Sequence, residues 1–318
     1  MHGLSIFKRR QSSDVRAGIA TFGEAVAVAV VRRTGRQRPQ VLHCGITPTK
    51  LGFADPALRQ VLRDLNLGKA PISAVIGAND YQLAQIQAPE VPERELRAAA
   101  RWRMREVIDF ALDNATVDVF DVPASRGINV RRMLFAVATR DDVPQAIAAS
   151  LQRLTNQLDV IDIPELCQRN LSALLPQDGK GVAFILLRSD YAQLVLTRAG
   201  QLYVARRLEY DQSPASSSDA SPDHSLFAEP HTFALELQRS LDYYETHFDQ
   251  TPITDLVLAP SGTMSESLAG AIAAQTGLRV HDFQPQEYVD LPAGSNDVAH
   301  WLATLALGAA LRTTDGVA

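Results

Sequence analysis

Cysteine is scarce in this chain: two in 318 residues, Cys44 and Cys167. They are too few and too far apart for a disulfide framework or a metal-binding spacing. They read as separate buried thiols, and usage of this kind suits a reducing cytoplasm. Long apolar runs are missing too. The run at 25–31, AVAVAVV, is too short to span a bilayer and reads as a buried strand. The stretch 298–311 is also too short, and His300 and Thr304 interrupt it. A transmembrane segment is therefore not expected. The opening MHGLSIFKRR is basic but lacks the apolar core of a secretory signal. A surplus of positive charge is absent: the net charge is -5, which argues against a general nucleic-acid binder. The histidines, at positions 2, 43, 224, 231, 247, 281 and 300, show no ligand spacing. The patterns GxxxxGK[ST], GxSxG, HExxH and a strand-borne GxGxxG do not occur, so the common catalytic signatures are excluded.

What is present suits a globular α/β protein. Apolar residues make up 46% and charged residues 21%, enough to build one large or two medium domains over this length. Residues 15–33 read as two strands joined by a tight turn at Phe22-Gly23, and 40–45 as a third strand. Residues 54–66 read as a helix with Leu58, Val61, Leu62 and Leu65 on its apolar face. A short strand is expected at 71–76 and another at 158–163, followed by a helix at 164–175. From Gly181 onward the pattern repeats: a hairpin, a third strand, then helix, strand, helix, strand. Phe233, Leu237, Leu241, Tyr244 and Phe248 step by three or four and line one face of a helix. Residues 211–229 are rich in Ser, Pro and Asp and read as a solvated, flexible loop. Residues 1–14 read as a flexible tail whose Phe7, Lys8, Arg9 and Arg10 suit a frayed terminus or, less simply, an anionic membrane surface.

The segment from Tyr81 to Val122 carries the most specific wording. An extended run opens at Tyr81 and turns at Pro89–Pro92. Glu93 and Glu95 stand where a helix start favours negative charge, and Leu96, Ala99, Ala100 and Val107 recur at helical spacing over 93–108. Arg94, Arg97, Arg101 and Arg105 form a basic stripe on that helix, read either as a contact surface or as a solvated face with a Glu93–Arg97 pair. Trp102 and Met104 suit interface anchors or core positions.

The words APEVPERELRAAARWRMREVIDF and VDVFDV, with ELQRSLDYYETHFDQTPITDLVL at 236–258 and the terminal LALGAALR, resemble the PilM-like proteins of type IV pilus assembly. Within that group they resemble the branch called MshI, of mannose-sensitive hemagglutinin pilus biogenesis. The resemblance implies an actin-like, two-lobed α/β fold of the FtsA/PilM type. One lobe is expected at 15–80 and 155–178, an inserted small β-α-β-β-α subdomain at 81–154, and a second lobe at 179–318.

An actin-like ATPase cups its phosphates with two hairpin turns, orients Mg²⁺ with carboxylates and receives adenosine on a Gly-Gly turn. The chemistry wants Gly for close backbone approach and Asp for a hard cation. The matching residues here are eroded. Gly18, Thr21 and Gly23 remain in the first turn, but Ala20 stands where the carboxylate belongs. In the second, Leu187 or Arg188 falls at the Asp position, followed by Ser189 and Asp190. In the third, Ser261 and Gly262 follow Pro260, which has no backbone N–H to donate. No catalytic residue is assigned and no metal site. No cofactor is expected, with ATP and Mg²⁺ as the alternative. Arg188 is read as a solvated turn residue, the alternative being a phosphate contact.

The resemblance then implies a non-catalytic scaffold, cytoplasmic and peripheral on the inner-membrane face. Its implied partner is a PilN-like inner-membrane protein whose cytoplasmic N-terminus docks on the unit formed by 15–80 and 158–175. No nucleic acid is implied, and the oligomeric state stays open. Two alternatives stand beside this: an ATP-binding or weakly hydrolysing PilM-like ATPase, and the cytoplasmic domain of a GspL-like type II secretion protein. A membrane helix usually follows that last domain, and the absence of one before Ala318 counts against it.

Overall fold

The computed structural model describes residues 14–22, 24–35, 37–67, 69–125, 131–188, 191–209, 230–259, 266–293 and 301–313. The chain runs β1 (Val15–Phe22), β2 (Ala25–Arg32), β3 (Gln40–Pro48), α1 (Pro56–Asp64) and β4 (Ile72–Val75). Then come β5 (Tyr81–Gln87), α2 (Leu96–Arg103), β6 (Ala115–Asp121), β7 (Met133–Arg140), α3 (Asp142–Gln152), β8 (Leu158–Asp162) and α4 (Pro164–Ser172). A second series follows: β9 (Val182–Leu187), β10 (Tyr191–Arg198), β11 (Gln201–Glu209), α5 (Pro230–Phe248), β12 (Asp255–Ala259), α6 (Glu266–Thr276), β13 (Arg279–Asp282) and α7 (Trp301–Ala310). The expected tail, apart from Asp14, and the expected loop at 211–229 lie outside the described residues.

Two five-stranded sheets have the same order, β3-β2-β1-β4-β8 and β11-β10-β9-β12-β13. In each, three antiparallel strands are followed by two parallel ones. A third, antiparallel sheet, β5-β7-β6, lies between them in sequence.

The alternation in the first sheet explains its packing. Ala17, Ile19, Val26, Val28, Val30, Ile72 and Ala74 face one side and form a core with Leu58 and Leu62 of α1 and Ile147 and Leu151 of α3. Ala20, Ala27, Ala29 and Val75 belong to the other face and join the large core that continues through the second sheet. Side chains alternate across a strand, so the AVAVAVV run sorts Val26, Val28 and Val30 to one face and Ala27, Ala29 and Val31 to the other. The small face lets α7 lie close. A methyl at Gly18 would overlap the Ala306 carbonyl and stand 2.6 Å from the Ala310 nitrogen, and one at Gly308 would stand 2.8 Å from the Cys167 carbonyl carbon. The helix α7 thus packs on β1, β2 and β4 with α4 on its other side, and α4 in turn meets β9, β10 and β11. Residues Leu302 to Ala310 of α7 are buried throughout, which fits a helix apolar on every side.

Four expectations need correction. The last helix does not belong to the second lobe with the rest of 179–318, because its glycine and alanine surface fits the first sheet. Likewise α3, within the 81–154 segment, turns its buried face into the first lobe's core, while α2 and the sheet β5-β7-β6 form a core of their own around Ile86, Leu96, Ala100, Met104 and Leu134. The helix at 93–108 is also shorter than its periodicity suggests: α2 ends at Arg103 and 3-10 turns flank it. The Glu93–Arg97 pair does not form. Arg97 reaches Asp118 at 2.8 Å, and Glu93 accepts from Arg132 at 3.0 Å. Arg94 pairs with Glu95 and Arg101 donates to the Leu112 carbonyl, so three of the four arginines of the basic stripe are locally satisfied. Met104 is core, whereas Trp102 is 69% exposed. Both cysteines are buried, and neither is in a disulfide among the described residues.

Candidate functional site

The end of β1 and the β9–β10 pair come together where Arg188 lies over the Phe22 ring. Of the residues expected in the nucleotide loops, Gly23, Ser189, Ser261 and Gly262 lie outside the described residues. Gly18 sits mid-strand in β1, opposite Ala29 and Ser73, and its bare Cα is occupied by α7. Its glycine character is accounted for by helix packing. Thr21 is half-buried near the end of β1, and Ala20 beside it is buried in the core.

Arg188 departs most from expectation. It is 5% exposed and not a solvated turn residue. Its backbone N–H donates to the Tyr191 carbonyl at 3.0 Å, closing the hairpin, and its guanidinium donates to the Tyr191 hydroxyl. The guanidinium carbon lies 5.1 Å from the centre of the Phe22 ring and 4.7 Å from that of Tyr191. Arg207 stacks on Tyr191 at 3.7 Å and donates to Asn79 at 3.0 Å. A cation over an aromatic face is attracted by the ring quadrupole, more so when desolvated. The end of β1 and the β9–β10 pair are therefore bridged by Phe22, Arg188 and Tyr191. A phosphate entering between them would have to draw Arg188 away from both rings.

Sequence reading missed Glu165. Pro164 opens α4 and Glu165 stands in its first turn, a position ordinarily read as a favourable partner of the helix dipole. Here the carboxyl is buried, and the Tyr81 hydroxyl of β5 donates to it at 2.6 Å. Burial pushes its pKa up to about 7, while the Tyr81 hydrogen bond and the nearby Arg188 charge pull the other way. Burial also raises the Tyr81 hydroxyl well above the usual range. Glu165, Tyr81, Tyr191, Gln193 and Arg207 line a hollow of about 170 Å³. One buried carboxyl at the junction of the first lobe, the inserted strand and the second lobe can hold or release a proton near neutrality. Among the described residues, no three His, Cys, Asp or Glu side chains converge as a ligand set for a metal ion. Among them, too, no helix is long and apolar enough to cross a membrane.

A second hollow, of about 510 Å³, lies where the inserted sheet meets α4 and the end of α7. Arg33, Arg169 and Leu311 line it on the α4/α7 side, and Phe120, Arg132 and Leu134 on the inserted-sheet side.

No protein-family model and no curated protein matches the chain. Among solved structures it is similar to a chain of the PilM-PilN type IV pilus biogenesis complex, at 18% identity and a TM-score of 0.65, covering 92% of this chain and 98% of that one. It is also similar to the cytoplasmic domain of EpsL, an inner membrane component of the type II secretion system of Vibrio cholerae. There the identity is 13% and the TM-score 0.50, over 94% of this chain and 96% of that one. With the strand order repeated in two lobes, these likenesses establish the actin-like fold.

Proposed function

We propose that this chain is a PilM-like protein of the MshI branch, a cytoplasmic actin-like scaffold for a type IV pilus of the mannose-sensitive hemagglutinin kind. In this reading it sits on the inner-membrane face and docks the cytoplasmic N-terminus of a PilN-like protein. The nucleotide cycle is lost. The observation that carries this is Arg188 lodged against Phe22 and Tyr191 between β1 and the β9–β10 pair; Ala20 and Leu187 are buried too, and the resemblance expects carboxylates at Ala20 and at Leu187 or Arg188. A hard cation needs oxygen ligands there, and neither residue supplies one. The likeness to the PilM-PilN complex supports the kind of partner.

Calorimetric titration with Mg-ATP and with the partner's cytoplasmic peptide tests this. Heat from the peptide and none from Mg-ATP is the expected outcome. ATP turnover abolished by a Thr21 or Ser189 substitution would overturn the reading. One observation favours the second reading, an ATP-binding or weakly hydrolysing member: Glu165 is a cleft carboxyl held near neutrality. A secretion-platform role, as a GspL-like cytoplasmic domain, draws on the likeness to EpsL.

A further inference from the structure

Tyr81, Leu83 and Gln85 share one face of β5, since side chains alternate along a strand. Both ends of that face are held by parts of the chain distant in sequence. The Tyr81 hydroxyl donates to Glu165 of α4 at 2.6 Å. The Gln85 amide donates to the Tyr203 carbonyl of β11 at 3.0 Å and accepts from the Tyr243 hydroxyl of α5 at 3.0 Å. Just before β5, Asn79 accepts from Arg207 of β11 at 3.0 Å. Glu165 thus ties β5 to the first lobe, and Gln85 and Asn79 tie it to the second.

The two attachments differ in kind. The inserted unit is anchored in the first lobe by α3, whose Ile147 and Leu151 belong to that core. Toward the second lobe these hydrogen bonds are made by side chains, and β5 and β11 belong to different sheets. A seam of this kind opens at less cost than a strand ladder or a packed core.

Glu165 lies at one end of the seam. It is 4% exposed and lines the hollow of about 170 Å³ together with the exposed Arg206 and Arg207. Every element around it brings a charged or titratable group. Asp162 at the end of β8 is paired with Arg312 at 2.7 Å, and Cys167 lies on α4 itself. Tyr81 comes from β5, Arg188 from just past β9, Tyr191 from β10, and Arg206 and Arg207 from β11. The arginines keep their charge. Burial pushes the Tyr81 hydroxyl and the Cys167 thiol up, so both stay neutral at ordinary pH. Burial also brings the Glu165 carboxyl to about 7, against the pull of Tyr81 and Arg188. Once ionised, the carboxylate requires water, which enters where β11 parts from β5 at Arg206 and Arg207.

We infer that Glu165 is a proton-held latch on this seam: while its carboxyl is protonated β5 stays seated against the second lobe, and when it ionises the seam opens. The inference goes beyond the proposed function and needs neither the nucleotide nor the partner. The seated pKa is the higher one, so closure is favoured most below about pH 4.5 and weakens as pH rises through about 7.

The test uses the full chain with spin labels at Trp102→Cys on α2 and Gln238→Cys on α5, both exposed positions, and electron–electron double resonance. Cys44 and Cys167 are buried and stay unlabelled. A carboxyl that titrates at about 7 when seated and at the ordinary 4.5 when hydrated changes the ratio of open to closed molecules by up to about a hundredfold between pH 5 and pH 8. A longer distance that gains population over this range is expected. Glu165→Gln keeps the short distance at every pH, because its amide still accepts from Tyr81 and carries no charge. Gln85→Ala removes both Gln85 hydrogen bonds to the second lobe, so the open share is larger at each pH and the response to pH remains. Distances that ignore pH in both the labelled parent and Gln85→Ala overturn the inference, and so does a Glu165→Gln chain that responds as the parent does. Where Glu165→Gln does not fold, the first of these outcomes still decides.

Discussion

Replacing Gly18 by alanine distinguishes a packing glycine from a phosphate-binding one. The added methyl would overlap the Ala306 carbonyl and stand 2.6 Å from the Ala310 nitrogen and 2.9 Å from the Ala309 methyl. Two of these three neighbours are helix backbone, which cannot rotate aside. Nor can α7 retreat, because Gly308 on its far side already lies against the Cys167 backbone. Alanine gains about 0.5–1 kcal/mol in a strand by restricting the unfolded chain. Overpacking costs about 1–3 kcal/mol, and a wedged helix puts this site at the upper end. The clash wins, for a net loss of about 2 kcal/mol and a fall of a few degrees in Tm. Urea and thermal melts of Gly18→Ala measure it. Gly270→Ala serves as the control: it sits on α6 with nothing near its Cα, and gains about 0.5–1 kcal/mol from helix propensity. A Gly18→Ala protein as stable as the wild type refutes the packing argument. One that keeps its stability but loses Mg-ATP binding restores the phosphate reading.

Glu165 makes stability depend on pH. Its folded pKa of about 7 exceeds the ordinary 4.5, so the native state keeps a proton that the unfolded chain loses between those values. Its contribution is fully present below about pH 4.5 and disappears as pH rises through 7, up to about 3 kcal/mol. Melts of Glu165→Gln from pH 5 to 8 are expected to show a flatter profile than the wild type, and parallel profiles contradict the assignment. Arg188→Ala removes two ring contacts and a buried hydrogen bond, costing about 1–3 kcal/mol in a denaturant melt. Its calorimetric titration with Mg-ATP stays flat, since Ala20 and Leu187 still offer no metal ligand. Heat in that titration would mean that Arg188 alone had kept the site shut. Met104→Ala costs about 2–5 kcal/mol because Met104 is fully buried under β7, whereas Trp102→Ala stays within about 0.5 kcal/mol. Equal effects of the two would mean that α2 is rotated from its described position.

Much of the architecture is written locally. The Ala/Val alternation at 25–31 announces a strand with one small and one larger face, because side-chain direction has a period of two along a strand. The stepped apolar residues at 233–248 announce a helix in the same way. The repeat of hairpin, helix and strand in each half announces two similar lobes, since each half carries the same order of periods. That Ala20, and Leu187 or Arg188, stand where the resemblance expects Asp is a matter of residue identity and needs no coordinates.

The rest depends on neighbours distant in sequence. Nothing near 299–311 says that the last helix crosses back to the first sheet. That follows only from the fit of its alanines and Gly308 between Gly18 and Cys167, contacts that span more than a hundred residues. Arg188 reads as a turn residue because its local neighbours are polar, yet a ring from β1 makes its site a buried one. Glu165 reads as a helix-start acid, and only the converging walls of β5 and the second lobe strip it of water and raise its proton affinity. Periodicity and propensity act over a few residues and so determine the elements. Burial, charge state and close backbone approach are properties of the assembled surfaces, and the tertiary structure alone decided them.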